Sequence, residues 1–396
     1  MNKIVAQLKA EVDEVLIKNI LPYWMSKLID LENGGFKGRI AGNEVVIDEA
    51  PKGVVLNARI LWTFAAAYRV YKNESYLQTA KRAKDYLLNY FYDKEHGGVY
   101  WLLDYKGNPV ETKKQIYAQG FAIYGLSEYY RATQDNDALK YAIKLFKSIE
   151  EHSFDKKNNG YLEALTQDWQ LIDDMRLSEK DANVQKTMNT HLHILEPYTN
   201  LYRVWKDDFL KEQLKNLIEL FLEKIIDDKT KHLKLFFDTN WKSDYDIISY
   251  GHDIEASWLL YETALVLNDA EVINKVRTIV PHIVKAAEEG LEIDGSMVYE
   301  KNIQTKHTDK EKHWWVQAEA VIGFLNHYQY YNNEDSLKKA LDCWNYIKKN
   351  IIDWNCGEWF WSVFENGSIN RDEDKAGVWK CPYHNSRMCM EIIERF

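Results

Sequence analysis

Residues 251–258 read GHDIEASW. On a helix, His252, Glu255 and Trp258 fall three residues apart and share one face. Imidazole is the usual side chain for moving protons near neutral pH, and a carboxylate beside it sets its tautomer and raises its basicity. Glu255 is therefore expected to accept a hydrogen bond from a neighbouring histidine. The same three residues also suit an ordinary buried stripe, with Trp258 as core packing, so their meaning depends on where the segment sits.

Comparable polar turns recur along the chain: Arg59, Tyr117, Asn189, His191 and His193, His313 with Trp314 and Trp315, and His384. With His252, these hold five of the eleven histidines. Asn189 and His193 are four apart and share a helix face. Three chemistries compete for such a set. A metal site is weakly supported, because THLH (190–193) on a helix sends its two imidazoles about 200° apart, and no HExxH or clustered carboxylate set follows. Glycoside hydrolysis needs a flanking carboxylate pair; Glu163, Asp253, Glu255 and Glu319 are available, but acids at these turns are fewer than histidines. Proton transfer beside a carbonyl, as in sugar isomerisation or epimerisation, needs two proton-transfer groups and a cation or donors for an enediolate oxygen. His252, His384 and Arg59 suit those roles. Phosphate cradles and dinucleotide fingerprints are absent from the sequence.

The elements that must position these residues are legible as a repeat. A turn rich in glycine and aromatics recurs as DLENGGF (30–36), DKEHGGVYW (93–101), DKKNNGYLEA (155–164), DGSMVYE (294–300) and DWNCGEWFW (353–361). Gly34, Gly97, Gly160, Gly295 and Gly357 are spaced 63, 63, 135 and 62 residues apart. The long gap spans two periods, and its middle, DDKTKHLKLFFD (227–238), is a degenerate sixth copy without glycine.

Between the turns, apolar residues at i, i+3, i+4 and i+7 predict twelve helices. Their spans are 4–30, 53–72, 75–92, 114–133, 136–152, 184–205, 207–226, 251–267, 269–289, 311–332, 334–351 and 382–395. Long loops alternate with links as short as YKNES (71–75), so six helical hairpins are expected to close into an all-α (α/α)6 barrel. The even-numbered helices, apolar nearly all round as in VLNARILWTFAAAY (55–68), form the inner ring. Their N-terminal turns then converge at the mouth where the long loops lie. No linker or compositional break divides the chain, so residues 1–396 are expected to form one catalytic domain.

Composition narrows the partners. The chain has 396 residues, 61 acidic against 51 basic, for a formal charge of −10. That balance argues against nucleic acid or an anionic membrane surface. No run of 18 apolar residues occurs, and the charged, amphipathic start does not read as a leader; a cytoplasmic location is expected. Cys343, Cys356, Cys381 and Cys389 show no paired spacing and are expected to be free thiols. The 14 tryptophans and 26 tyrosines offer flat apolar faces with polar tips, which suit sugars.

NTHLHILEPYTNLYR (189–203), SYGHDIEASWLLYE (249–262), KHWWVQAEAVIGF (312–324), VLNARILWTFAAAYR (55–69) and WKCPYHNSRMCMEII (379–393) together resemble the N-acylglucosamine 2-epimerase superfamily, and its disaccharide-acting branch in particular. The resemblance spans the whole chain. It implies an (α/α)6 barrel and cofactor-free inversion at C2 of the reducing-end glucose of β-1,4-linked disaccharides, with no metal. A monosaccharide epimerase or isomerase of the same superfamily is the alternative, ahead of a glycoside hydrolase. By motif, His252 and His384 match the acid/base pair, which would open the sugar ring and exchange the C2 proton through a cis-enediol. Arg59, Asn189, His193, Glu255 and Trp315 match substrate positions, with Arg59 and His193 at the enediol oxygens; Tyr117, Asp181 and Trp379 match less securely. A small-molecule disaccharide is the implied partner, and a monomer is expected.

Overall fold

The computed structural model describes residues 3–396. Its helices are α1 (Lys3–Val15, continuing through a π turn Leu16–Ile20 into Leu21–Lys27), α2 (Val54–Tyr71), α3 (Glu74–Tyr86 plus the π turn Leu87–Phe91), α4 (Ile116–Thr133), α5 (Asn136–His152), α6 (Met188–Val204), α7 (Asp208–Leu220 plus Phe221–Ile225), α8 (Tyr250–Leu267), α9 (Ala270–Ala287), α10 (Trp314–Tyr331), α11 (Glu334–Tyr346 plus Ile347–Ile351) and α12 (His384–Arg395). Packing runs α2–α4–α6–α8–α10–α12 and back to α2. The even helices thus form a closed inner ring and the odd helices surround it, an (α/α)6 barrel.

Local chemistry explains the hairpins. Helices α2, α4, α8 and α10 end on left-handed residues, Lys72, Gln134, Asn268 and Asn332. The side chains of Asn73, Asp135, Asp269 and Asn333 then cap the next outer helix. A left-handed C-cap followed by an Asx N-cap reverses the chain in a few residues. Inner helices are buried almost all round, as in α2, where Val54 through Ala67 are all buried. Gly120 of α4 lies against the backbone carbonyl of His193 where a Cβ would collide, so these two inner helices can touch.

All six repeat turns are present, each closed by a bridge: Ile29–Phe36, Tyr92–Val99, Phe154–Tyr161, Ile226–Leu233, Leu291–Met297 and Ile352–Trp359. In the degenerate fourth turn Lys231 adopts the left-handed conformation (φ 65°) that Gly34 and Gly97 adopt in theirs. The third turn shifts the sequence alignment by one. Asp155 N bonds to Gly160 O as Asp30 N does to Gly35 O and Asp93 N to Gly98 O, so Gly160 matches the second glycine of the other turns. Buried lysines tie the turns down: Lys52–Asp30, Lys114–Asp93 and Lys186–Asp155 at 2.8 Å, and Lys375–Asp353 at 2.7 Å.

Two differences from the sequence expectation share one cause. The long loops carry five small antiparallel sheets of two or three strands, and inner helices start late, at 188 rather than 184 and at 314 rather than 311. The residues just before these helices are extended because they pair with the following loop, Lys186–Thr187 with Phe236–Phe237 and Lys312–His313 with Ser362–Val363. Five of the six inner helix starts, all but that of α12, are thereby clamped to the loop beside them.

Candidate active site

The inner helix starts converge on a cavity of about 470 Å³ at the mouth of the barrel. Arg59, Tyr117, Asp181, Asn189, His193, His252, Glu255, Trp315, Trp379 and His384 all line it, so all ten expected site residues are brought together. The loop after Leu165 contributes Met175–Asp181 to one wall. A second cavity of about 410 Å³ lies at the other end of the inner ring and is lined by ion pairs such as Arg69–Glu128 and Arg203–Glu262, with no imidazole.

His384, the first residue of α12, is 6 % exposed and its Nδ1 lies 2.7 Å from Glu319 Oε1. Both oxygens of Glu319 already accept from other donors, Oε1 from Arg387 and Oε2 from Trp258, so Glu319 meets His384 as an acceptor; Nδ1 carries the proton and Nε2 keeps its lone pair, without a partner among the described residues. Trp258 Nε1 donates to Glu319 Oε2 at 2.9 Å, and Arg387 Nη2 donates to Glu319 Oε1 and Glu255 Oε1 at 2.7 Å each. Glu255, Glu319 and His384 group their ligand-type atoms within 4.8 Å, and the guanidinium of Arg387 supplies the positive charge between the two carboxylates. Burial pushes the Glu255 carboxyl up to about 8, and burial together with Glu255 raises Glu319. Burial, with Arg59 and His252 adding to it, holds His384 well below the ordinary imidazole range, in its neutral, basic form.

The expected support of His252 by Glu255 is not found. Glu255 is held by Arg387, and His252 Nδ1 instead meets Ser249 Oγ at 2.8 Å. Ser249 ends the strand Ile247–Ser249, which pairs with Glu300–Asn302 and so fixes the hydroxyl beside the first turn of α8. A hydroxyl both donates and accepts, so it accommodates either tautomer of His252, whereas Glu319 imposes one on His384. Burial pushes His252 down to about 4. The Trp315 ring packs against both imidazoles, 4.8 Å from His252 and 5.6 Å from His384 by centroid. It reaches that position because Gly251 has no side chain: a Cβ there would sit 2.7 Å from the ring.

Arg59 is 3 % exposed, donates to Tyr117 Oη at 2.7 Å, and its guanidinium lies over Phe121 and Tyr383 at 4.1 and 4.7 Å. Asn189 Oδ1 is buried without a protein partner, and so is Glu255 Oε2; both belong to cavity-lining residues and are free to meet a ligand hydroxyl. Asp181 accepts from Ser178 N and Oγ, both at 2.9 Å, and burial raises its carboxyl. Trp379 leans on Trp101 at 5.7 Å.

His191 departs from the sequence reading, which placed it with the pocket histidines. Its Nε2 accepts from Tyr161 N at 2.9 Å and its Nδ1 meets Thr187 O, so it binds a repeat turn and faces away from the cavity. The diverging rings expected of HxH are found, with His193 alone in the cavity. Sequence reasoning missed the supports: Ser249, Glu196 and Arg387 had no assigned role, and Glu319 was considered only as a hydrolytic carboxylate. One signal was available, since Glu319 stands five residues into its helix, where Glu255, His193 and Arg59 stand in theirs.

The sequence profile of the N-acylglucosamine 2-epimerase (GlcNAc 2-epimerase) family matches residues 34–387, and the chain belongs to this family of isomerases. Among relatives, the chain is 60% identical to a cellobiose 2-epimerase of Bacteroides fragilis over 386 residues, 98% of each chain. The structure of cellobiose 2-epimerase from Bacillus thermoamylovorans superimposes with a TM-score of 0.94 at 44% identity, covering 100% of both chains. The crystal structure of a D-mannose isomerase matches in fold, with a TM-score of 0.86 at 20% identity over 98% of each chain.

Proposed function

We propose that the chain catalyses cofactor-free, reversible 2-epimerisation of the reducing-end glucose of β-1,4-linked disaccharides, cellobiose to glucosyl-mannose and lactose to epilactose. The observation that carries this reading is the pair of neutral imidazoles packed on Trp315, one backed by a carboxylate and the other by a hydroxyl. Relatives 60% and 41% identical over 98% of the chain are cellobiose 2-epimerases, which favours a disaccharide over a monosaccharide. The cavity volume suits a small molecule, and Trp379 and Trp361 extend aromatic surface along its wall for a second sugar ring.

In this mechanism the open-chain aldose presents its C2–H to Nε2 of His384. Removal of the proton moves charge onto O1, and Arg59 stabilises the resulting cis-enediolate. Rotation about C2–C3 exposes the other face, and the imidazole pair returns a proton to C2 to give the mannose configuration. Glu319 balances the imidazolium formed on His384. Asn189, Glu255 and Asp181 bind hydroxyls, while Tyr117 orients Arg59. The inner helices close one ring around one cavity, which supports a single catalytic domain over 1–396; a monomer is part of the same proposal. The four cysteines are unpaired and no helix among the described residues is long and apolar enough to cross a membrane; a cytoplasmic location is part of the same proposal.

The test is incubation with cellobiose and with lactose, followed by sugar chromatography. Glucosyl-mannose and epilactose are expected. Unchanged disaccharide, with turnover of N-acylglucosamine or mannose instead, assigns the monosaccharide role, and released glucose assigns hydrolysis.

A further inference from the structure

His193 takes its support from further along its own helix. Its Nδ1 is 3.2 Å from Glu196 Oε2, one turn further along α6. The other carboxylate oxygen, Oε1, receives hydrogen bonds from Tyr383 Oη and from Nη1 of Arg387. Two donors, one of them a guanidinium, converge on Oε1 as on an ionised carboxylate. Oε2 can then only accept, so the proton of neutral His193 is on Nδ1 and its Nε2 lone pair is left for the cavity. Tyr117 and Phe121, at 5.0 and 5.1 Å by centroid, hold the ring in place. Burial, followed by the positive charge of Arg59, keeps the imidazole well below its ordinary range and hence neutral.

A neutral imidazole with its lone pair towards the sugar cannot donate a hydrogen bond to an enediolate oxygen, the role its motif suggests. It can accept a hydroxyl proton. We propose that His193 is the group that opens the sugar ring and that Glu196 is the positioning residue that fixes its tautomer; this rests on the sugar-epimerase reading above. In the step, the O1–H proton of the cyclic sugar passes to Nε2 of His193. The O1 electron pair forms the C1=O1 carbonyl, the C1–O5 bond breaks with its pair on O5, and the imidazolium returns the same proton to O5. O1 and O5 are both bonded to C1, so one nitrogen reaches both. The imidazole ends neutral, and Glu196 balances its transient positive charge as a triad carboxylate does. Ring opening is thus separated from C2 exchange, leaving His384 and His252 to the carbon-bound proton.

The first test reads the tautomer directly. Enzyme labelled with 15N-histidine, without substrate, is examined by 15N–1H correlation, with the His193 signals identified by their loss in His193→Gln. Nδ1–H with an unprotonated Nε2 is expected; Nε2–H, or both nitrogens protonated, overturns the proposal. The second test uses cellobiose deuterated at C2 of the reducing ring. In His193→Gln, kcat is expected to fall on the order of 100-fold and the C2 isotope effect to collapse towards 1, because ring opening limits the rate. A similar fall with the isotope effect retained assigns His193 to the C2 step and overturns the proposal, as does unchanged kcat. Glu196→Asp is expected to keep more activity than Glu196→Gln at similar KM; equal loss in both contradicts the positioning role. If the wild-type enzyme leaves cellobiose unchanged, the substrate reading fails, while the tautomer measurement still decides the role of Glu196.

Discussion

On the inner helices α2 to α10, the fourth and sixth residues point to opposite sides of the same helix and do different work. The fourth residues Gln119, His191, Asp253 and Gln317 bind the backbone of a repeat turn, at Val99, Tyr161, Leu233 and Met297. The sixth residues Arg59, His193, Glu255 and Glu319 form the site or its immediate support. Both sets are polar and buried. What separates them is what they bind: the fourth residues saturate backbone groups that each helix meets in the same place, and the sixth residues bond other side chains, with Arg387 joining Glu255 to Glu319. Polarity at an inner helix start is therefore no sign of chemistry by itself; the register within the helix decides.

Substitutions on the two sides are expected to part activity from stability. The largest effect is expected for His384→Ala, a fall in kcat of about 10³-fold or more with the circular dichroism spectrum retained; an enzyme keeping most of its turnover removes His384 as the C2 base. Glu319→Gln, at a sixth position, should lower kcat on the order of 100-fold, about 2.7 kcal/mol, by releasing the His384 tautomer, with little change in KM. Gln119→Ala, at a fourth position, should do the reverse. It leaves Val99 N and O unpaired in the interior, so denaturant unfolding should report a loss of about 2 kcal/mol with kcat nearly unchanged.

The smallest effect concerns His191, which burial and then Lys186 hold down to about 4. Its folded pKa lies below the unfolded value of about 6.5. As pH falls from about 6.5 towards 4, the unfolded chain binds a proton that the fold refuses, so stability is lost at up to about 1.4 kcal/mol per pH unit. His191→Gln, which copies Gln119 and Gln317, should keep activity and flatten that acid slope in melting experiments. An activity loss like that of Glu319→Gln would break the division between the two sides.

The same division explains what was legible in the sequence. The barrel was readable because its turns repeat: DLENGGF and DKEHGGVYW announce their period, and even the fourth copy could be placed without its glycine. The strands Lys186–Thr187 and Lys312–His313 were not, because two-residue pairings take their stability from the neighbouring loop and leave no alternation to read. His252 and His384 stood out as histidines in distinctive segments. His191 was misassigned because its residue type matches its neighbour in THLH while its direction does not. Glu319 and Arg387 are supports whose partners lie on other helices, 65 residues away for His384–Glu319 and 191 for Arg387–Glu196, and such pairs have no local pattern to announce them. Glu196 stands three residues from His193 on the same helix, but its role depends on Tyr383 and Arg387 from α12 and the loop before it.

The central claim is that a histidine-lined barrel mouth exchanges the proton on C2 of a reducing sugar. Cellobiose incubated with the wild-type enzyme in D2O and followed by NMR tests this most directly. Deuterium at C2 of a glucosyl-mannose product, with no glucose released, is the predicted result. A product still carrying protium at C2, free glucose, or unchanged cellobiose would contradict it.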